Sequence, residues 1–248
     1  MQNRLAFAAI LATLMLSSSG PSLAAQASVP PYVGTAVADM NRPQANKDQD
    51  AARHPEAMMA FSGAMPGSKV VEFVPGGGYV TRLFSKVVGP TGHVYSIQLP
   101  AFPDRMREGA NAVTSNPAYS NVSVLVQDPG ALKIPEPVDV VWISENYHDF
   151  KNNGPFKTDT NAMNKAVFAA LKPGGLYVIT DYEAAPGSGL RDTQTLHRID
   201  PAVIKSEVTA AGFTLEGEGN GLKNPNDKLT ERSHQTDSQV MLKFRKPR

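Results

Sequence analysis

The chain contains no cysteine, which excludes disulfides, thiolate metal centres, a cysteine nucleophile and a lipid-attachment thiol. A surplus of either charge is also missing: 24 basic against 23 acidic residues leave a net charge of +1 over 248 residues. That balance gives no concentrated positive field for a polynucleotide, so no nucleic-acid partner is expected. No HExxH or similarly tight ligand spacing appears, and no metal is expected. Ser188 lies in Gly187-Ser188-Gly189, which lacks the G-x-S-x-G elbow and reads as a turn. The apolar segment Leu5 to Leu16 is a dozen residues long, short of the roughly 20 that span a bilayer.

That short segment follows Arg4 and precedes the small residues Ala24, Ala25 and Ala27. The pattern predicts a secretory signal peptide over residues 1–25, cleaved after Ala25 or Ala27. A periplasmic or secreted mature protein follows, with no stable membrane anchor. Residues 26–46 are rich in Pro, Ala, Val and Asn without a clear period and read as a linker or N-terminal arm. With 41% hydrophobic content, residues 47–248 suffice for one well-cored α/β domain. Asp50, Arg53 and His54 can reach a neighbouring cleft, although mixed charges more often only solvate a helix face.

The most informative stretch is VVEFVPGGGYVTRLFSKVVGPTGHVYSIQLP, Val70 to Pro100. Val70, Val71, Phe73 and Val74 suit a buried parallel strand, and Gly76 to Gly78 allow a sharp turn and close approach to a ligand. Val80, Leu83, Phe84, Val87 and Val88 then recur at helical spacing, stopped by Gly89-Pro90. A strand–turn–helix–strand unit of this kind places a ligand where the first strand ends and the helix begins. Further strands are predicted at Val122 to Val126, Val138 to Ser144, Leu176 to Thr180, Phe213 to Glu216 and Gln239 to Phe244. A helix around Met163 to Leu171 is closed by Lys172-Pro173-Gly174-Gly175, and Asp200-Pro201 starts another. The polar segment 220–238 reads as a long loop able to cover a site.

Chemistry is expected at the tip of the fourth strand, Glu145-Asn146-Tyr147-His148-Asp149, because carboxyl ends of parallel strands line the ligand crevice. His148 is a candidate general base near its ordinary pKa of about 6.5. Tyr147 or Asn146 can orient an acceptor or contact a cofactor, and Asp149 can share acid/base work. Asp181-Tyr182 and His197-Arg198 can converge on the same side, with His197 pairing with His148 or Asp149. Arg198 either binds a substrate carboxylate or phosphate or ties down the 186–189 loop. A dinucleotide fingerprint fails, since Thr81 occupies its third glycine and the acidic residue after the second strand is missing.

VVEFVPGGG, LKPGGLYVITD and AAGF, in that order, resemble class I S-adenosylmethionine-dependent methyltransferases, and the likeness runs from about Ser68 to Phe244. The chain looks most like an exported branch of predicted methyltransferases. The resemblance implies a Rossmann-like, doubly wound, seven-stranded and mostly parallel sheet with an antiparallel last strand inserted beside the fifth, and helices on both faces. It places Glu72, Gly76, Gly77 and Gly78 at the cofactor's methionine part and Asp128 at the adenine amino group. Gln98 takes the place where the family holds the ribose hydroxyls with Asp or Glu, and Asn146 adds a further cofactor contact. Substrate would meet Glu145, Asp181, Tyr182 and Arg198, with Tyr147, His148, Asp149 and His197 as the catalytic group. The expected function is methyl transfer from S-adenosylmethionine to a small molecule. The alternatives are a non-methylating lyase- or isomerase-type enzyme on the same scaffold and an exported small-ligand binding protein.

Overall fold

Strand β1 (Lys69–Phe73), helix α5 (Tyr79–Val88) and strand β2 (His93–Gln98) form the unit read from Val70 to Pro100. They belong to a computed structural model that describes residues 29–233 and 236–248. The predicted signal peptide lies outside the described residues. After β2 come α6 (Asp104–Thr114), β3 (Val122–Val126), β4 (Val138–Ser144), α7 (Thr160–Ala170), β5 (Leu171–Tyr182), α8 (Pro201–Ala210), β6 (Thr214–Gly219) and β7 (Gln239–Arg245).

The strands make one seven-stranded sheet in the order β3-β2-β1-β4-β5-β7-β6. Pairing is parallel from β3 through β5 and antiparallel on both sides of β7. The last strand therefore slots beside the fifth, as the family resemblance implies.

Alternation along the strands builds two cores. Val71, Phe73, Val141, Ile143, Tyr177 and Ile179 pack on one face with Met163 and Val167 of α7 and Ile204 and Val208 of α8. Val70, Val140, Trp142 and Val178 pack on the other with Leu83, Phe84 and Val87 of α5. Successive side chains point to opposite faces, so one run of β-branched residues serves both layers.

Two segments differ from expectation. Residues 29–46, read as a linker or arm, contain α1 (Pro31–Val37) and α2 (Gln44–Lys47), and Val33 and Ala36 are part of the second core. A seven-residue helix is too short to show a hydrophobic period. The first is followed by α3 (Asp50–Arg53) and α4 (Pro55–Ser62), the latter opened by Pro55 behind a left-handed His54 with φ 46°. Helix α7 does stop before Lys172–Gly175, as expected, but that stretch already belongs to β5, which was expected to begin only at Leu176. The Gly174 N–H donates to the Lys246 carbonyl at 3.0 Å, and the Lys246 N–H donates back to Gly175 at 2.9 Å. Among the described residues no helix is long and apolar enough to cross a membrane.

Candidate active site

Strand order reverses between β1 and β4, since the chain proceeds outward from β1 through β2 and β3 before returning beside it. A crevice opens at the carboxyl ends of strands at such a switch point. It holds a cavity of about 300 Å³, at the small end of ligand pockets. One wall is the β1–α5 turn, with Glu72, Val74, Gly76 and Gly77; the opposite wall is the β4 tip, with Glu145, Asn146, His148 and Asp149. Phe102, Met106 and Phe156 supply apolar surface, and Phe102 meets Phe156 edge-on at 4.9 Å.

A Cβ placed on Gly76 or Gly77 would meet nothing within 4 Å, so both are open along the side-chain direction, while α6 packs against the turn from the other side. Gly78 behaves differently. Its φ is 76°, and a Cβ there would strike Val113 at 2.3 Å and Arg82 at 2.9 Å. It turns the chain into α5 under α6 and is not part of the cavity wall, contrary to the cofactor contact expected of it. Val74, Glu145 and His197 all line the cavity with positive φ, at 53°, 59° and 53°. Left-handed backbone in non-glycine residues costs about 1–3 kcal/mol each and gathers where a site dictates geometry.

Glu72 is buried beneath the glycine turn and accepts a 2.9 Å hydrogen bond from Ser96. Burial pushes its carboxyl up to about 7, against the lowering effects of Ser96, Arg53 and Arg82. At the mouth, Arg53 pairs with Glu145 at 3.1 Å while its guanidinium covers the Tyr79 ring at 4.5 Å. Arg53 does more than solvate a helix face, and its neighbour Asp50 is taken up by Arg42 and the Tyr79 hydroxyl.

Behind the β4 tip, buried Asp181 fixes His148. One carboxylate oxygen accepts the His148 backbone N–H at 2.7 Å, and the other lies 2.7 Å from the ring Nδ1 and 2.8 Å from the Tyr182 backbone N–H that donates to it. His197 arrives from 49 residues away, its Nδ1 3.2 Å from His148 Nε2, and Asp149 Oδ1 lies 3.2 Å from that same Nε2. Burial pushes the His148 pKa down, but Asp181 and Asp149 together carry it up to about 10. The two carboxylates thus favour the protonated ring, which works against the general-base role expected of His148. Asp149 is held below the usual carboxylate range, since the histidines and Asn146 outweigh its burial.

Several expected contacts lie elsewhere. Tyr147 is fully buried in the first core; its hydroxyl donates to Glu207 at 2.8 Å and accepts from Asn164 at 2.9 Å, so it cannot serve catalysis in the cavity. Arg198 is also buried, bonded to Asp227 and Asp237 and to the carbonyls of Glu183 and Glu231. It ties down Asp227, Glu231 and Asp237, not the 186–189 loop, and has no fork left for a substrate anion. Beside the tied Glu231, Arg232 reaches the cavity wall. Asp128 is exposed and caps the turn after β3 through the Gly130 N–H at 2.8 Å, outside the cavity wall. Asp181 contacts His148 rather than substrate, whereas Tyr182 does line the cavity. Gln98 is buried, donating to the Arg107 carbonyl of α6 at 3.2 Å, while its Oε1 has no hydrogen-bond partner. Phe102, Met106, Phe156 and Arg232 carried no sequence signal beyond their apolar or basic character.

No family model matches the chain. A protein-L-isoaspartate O-methyltransferase of Ignicoccus hospitalis is 33% identical over 49% of this chain and 50% of its own length. The ubiquinone/menaquinone biosynthesis C-methyltransferase UbiE of Vibrio campbellii is 27% identical over 55% and 51%. The chain thus spans about half the length of these curated relatives. A SAM-dependent methyltransferase from Aquifex aeolicus superposes with a TM-score of 0.58 at 18% identity, covering 82% of this chain and 98% of that one. The [4+2]-cyclase SpnF gives 0.58 at 14%, covering 82% of each. The relatives found by sequence are methyltransferases, and the chain has the Rossmann-like fold of the class I S-adenosylmethionine-dependent methyltransferases.

Proposed function

We propose that this chain is an S-adenosylmethionine-dependent methyltransferase acting on a small molecule. The observation that carries this reading is the switch-point cavity, where the open backbone faces of Gly76 and Gly77 lie across from the β4 tip. Glu72, Gly76 and Gly77 fit the amino-acid end of the cofactor. Gln98 is buried outside the cavity lining; its unpartnered Oε1 would serve a ribose hydroxyl only if the packing of α6 opened, and without the charge that makes such bonds about twice as strong. Asp128 rests on the family resemblance alone.

When bound, the cofactor supplies an electrophilic methyl group. The protein's part is mainly positioning, which can account for several orders of magnitude in rate. Asn146, Glu145 and Tyr182 border the acceptor's space, and Phe102, Met106 and Phe156 keep water away from it. Asp149, beside the fixed charge of His148, is the group that accepts a hydrogen bond from an acceptor hydroxyl. Incubating the folded chain with methyl-labelled cofactor and a panel of hydroxyl- and carboxyl-bearing small molecules tests this. Labelled product, lost in Glu72→Gln, is the expected result; no transfer to any acceptor, with the cofactor unbound, overturns it.

A second reading, a non-methylating enzyme on this scaffold, is favoured by one observation. Gln98 is sealed against α6, and a Cβ on Gly109 of α6 would come within 2.3 Å of the Gly76 carbonyl. Helix α6 thus lies tight on the nucleoside side of the glycine turn. SpnF has a related fold and is described as a cyclase, and fold does not fix reaction. Turnover of a substrate without added cofactor separates this reading from the first.

We also place the mature protein outside the cytosol, on Arg4, the apolar segment and the small residues that follow it. N-terminal sequencing of the exported protein should begin near Gln26 or Ser28; an intact Met1 in the cytosolic fraction contradicts it.

A further inference from the structure

His148 Nε2, His197 Nδ1 and Asp149 Oδ1 form a triangle with sides of 3.2, 3.2 and 3.4 Å. Ligands about 2.0–2.1 Å from one tetrahedral ion stand about 3.3–3.4 Å apart. The same distances lie at the long end of the hydrogen-bond range. A charge-assisted N–H to carboxylate bond runs about 2.7–2.9 Å, as His148 Nδ1 achieves with Asp181 at 2.7 Å. At Nε2 one ring nitrogen faces both Asp149 and His197 at equal, longer distances. The three atoms are arranged around a common point.

The surroundings fit the same point. His148 Nδ1 is engaged by a fully buried carboxylate that also takes two backbone N–H groups. This is the outer partner that fixes the tautomer and orientation of a metal-binding imidazole. Asp149 is steadied from outside by Asn146 and Asn152, each 3.4 Å from its carboxylate. His197 reaches the triangle only because its backbone adopts φ 53°. Two carboxylates, Asp149 and Asp181, favour a cation at the centre. All three triangle residues line the cavity, so the remaining coordination positions open toward a substrate.

We propose that His148, His197 and Asp149 bind one divalent transition-metal ion of the zinc class, with Asp181 as the outer carboxylate behind His148. Imidazole and carboxylate in a two-to-one set suit zinc and iron(II) and leave positions for water or an oxygen-bearing substrate. Binding puts the metal where a proton sits between the same groups and releases that proton. The substrate class indicated is a small molecule with a hydroxyl, carboxylate or enolizable carbonyl. The site shares Asp149 and the β4 tip with the acceptor side of the methyl-transfer reading but makes no use of the glycine turn, so metal binding and cofactor binding can be measured separately.

The test uses untagged full-length mature protein, stripped with chelator and titrated with zinc chloride by calorimetry, with cobalt(II) added separately and followed in the visible. One zinc per chain and the intense d–d bands of low-coordinate cobalt are expected. His197→Asn, which tolerates left-handed backbone, should weaken zinc at least 100-fold while circular dichroism stays unchanged. Asp181→Asn should weaken it about 10–100-fold, the usual cost of an outer-shell change. No zinc retained by the folded wild-type chain, or binding that survives His197→Asn and Asp149→Asn undiminished, overturns the site. Failure there leaves cofactor binding untouched, so the two claims fall separately.

Discussion

Tyr147 and His148 are chain neighbours at the end of one strand, yet they belong to two different polar systems. Tyr147 turns into the core to join Asn164, Tyr177, Glu207, Lys151 and Thr160, a network in which each group has a partner inside the scaffold. His148 turns to the cavity and joins Asp149, Asp181 and His197. The same split recurs at Arg198 and His197: one is locked among Asp227, Asp237 and two carbonyls, the other is bent into the cavity by a left-handed backbone. A polar cluster at a strand end is thus part scaffold and part site, and only the direction of each side chain tells which.

The scaffold half should carry stability and the cavity half should not. Arg198→Met strands two nearly buried aspartates, with side-chain exposures of 8% and 4%, and should cost about 3–5 kcal/mol. A fall in Tm near 10 °C on thermal unfolding is expected for a chain of this size.

Glu72 should show the opposite sign. Its folded pKa of about 7 exceeds the ordinary 4.5, so the unfolded chain ionises first as pH rises. Its contribution to stability falls between pH 4.5 and 7 and stays unfavourable above. Glu72→Gln should therefore raise stability at pH 8 by about 2–3 kcal/mol, do little at pH 4, and abolish cofactor binding. Urea unfolding at the two pH values reads the difference.

Tyr147→Phe leaves Asn164 and Glu207 short of one partner each and should cost about 1–2 kcal/mol in urea unfolding, with ligand binding in the cavity intact. His197→Asn should change stability by less than about 0.5 kcal/mol, because the site is partly exposed and the backbone suits Asn. A large loss there would show that the cavity cluster is scaffold after all.

Much of this arrangement was legible because it is local. The β1–turn–α5–β2 unit announces itself within 30 residues through apolar runs, glycines and a helical period, and it fixes the switch point. The β4 tip was legible for the same reason, as a polar string after a continuous apolar strand. What stayed hidden depends on contacts distant in sequence. Lys172–Gly175 looks like a helix stop because Pro and Gly punctuate it, yet it pairs with Lys246. The pairing of His197 with His148 or Asp149 was legible from their placement on one side of the sheet, but no local spacing showed that the three ligand atoms form a triangle. Arg53 sits on a four-residue helix with no period, and its place over Tyr79 follows from packing. The departure of His148 from its ordinary pKa was not legible either, because two carboxylates, one of them 33 residues away, raise it.

Calorimetric titration of S-adenosylmethionine, with S-adenosylhomocysteine in parallel, into the folded protein tests the central claim most directly. One-to-one binding in the micromolar range, lost in Glu72→Gln and retained in Arg198→Met at a temperature where both are folded, is the predicted result. No heat with either compound, from protein whose circular dichroism and unfolding transition are native, would contradict it.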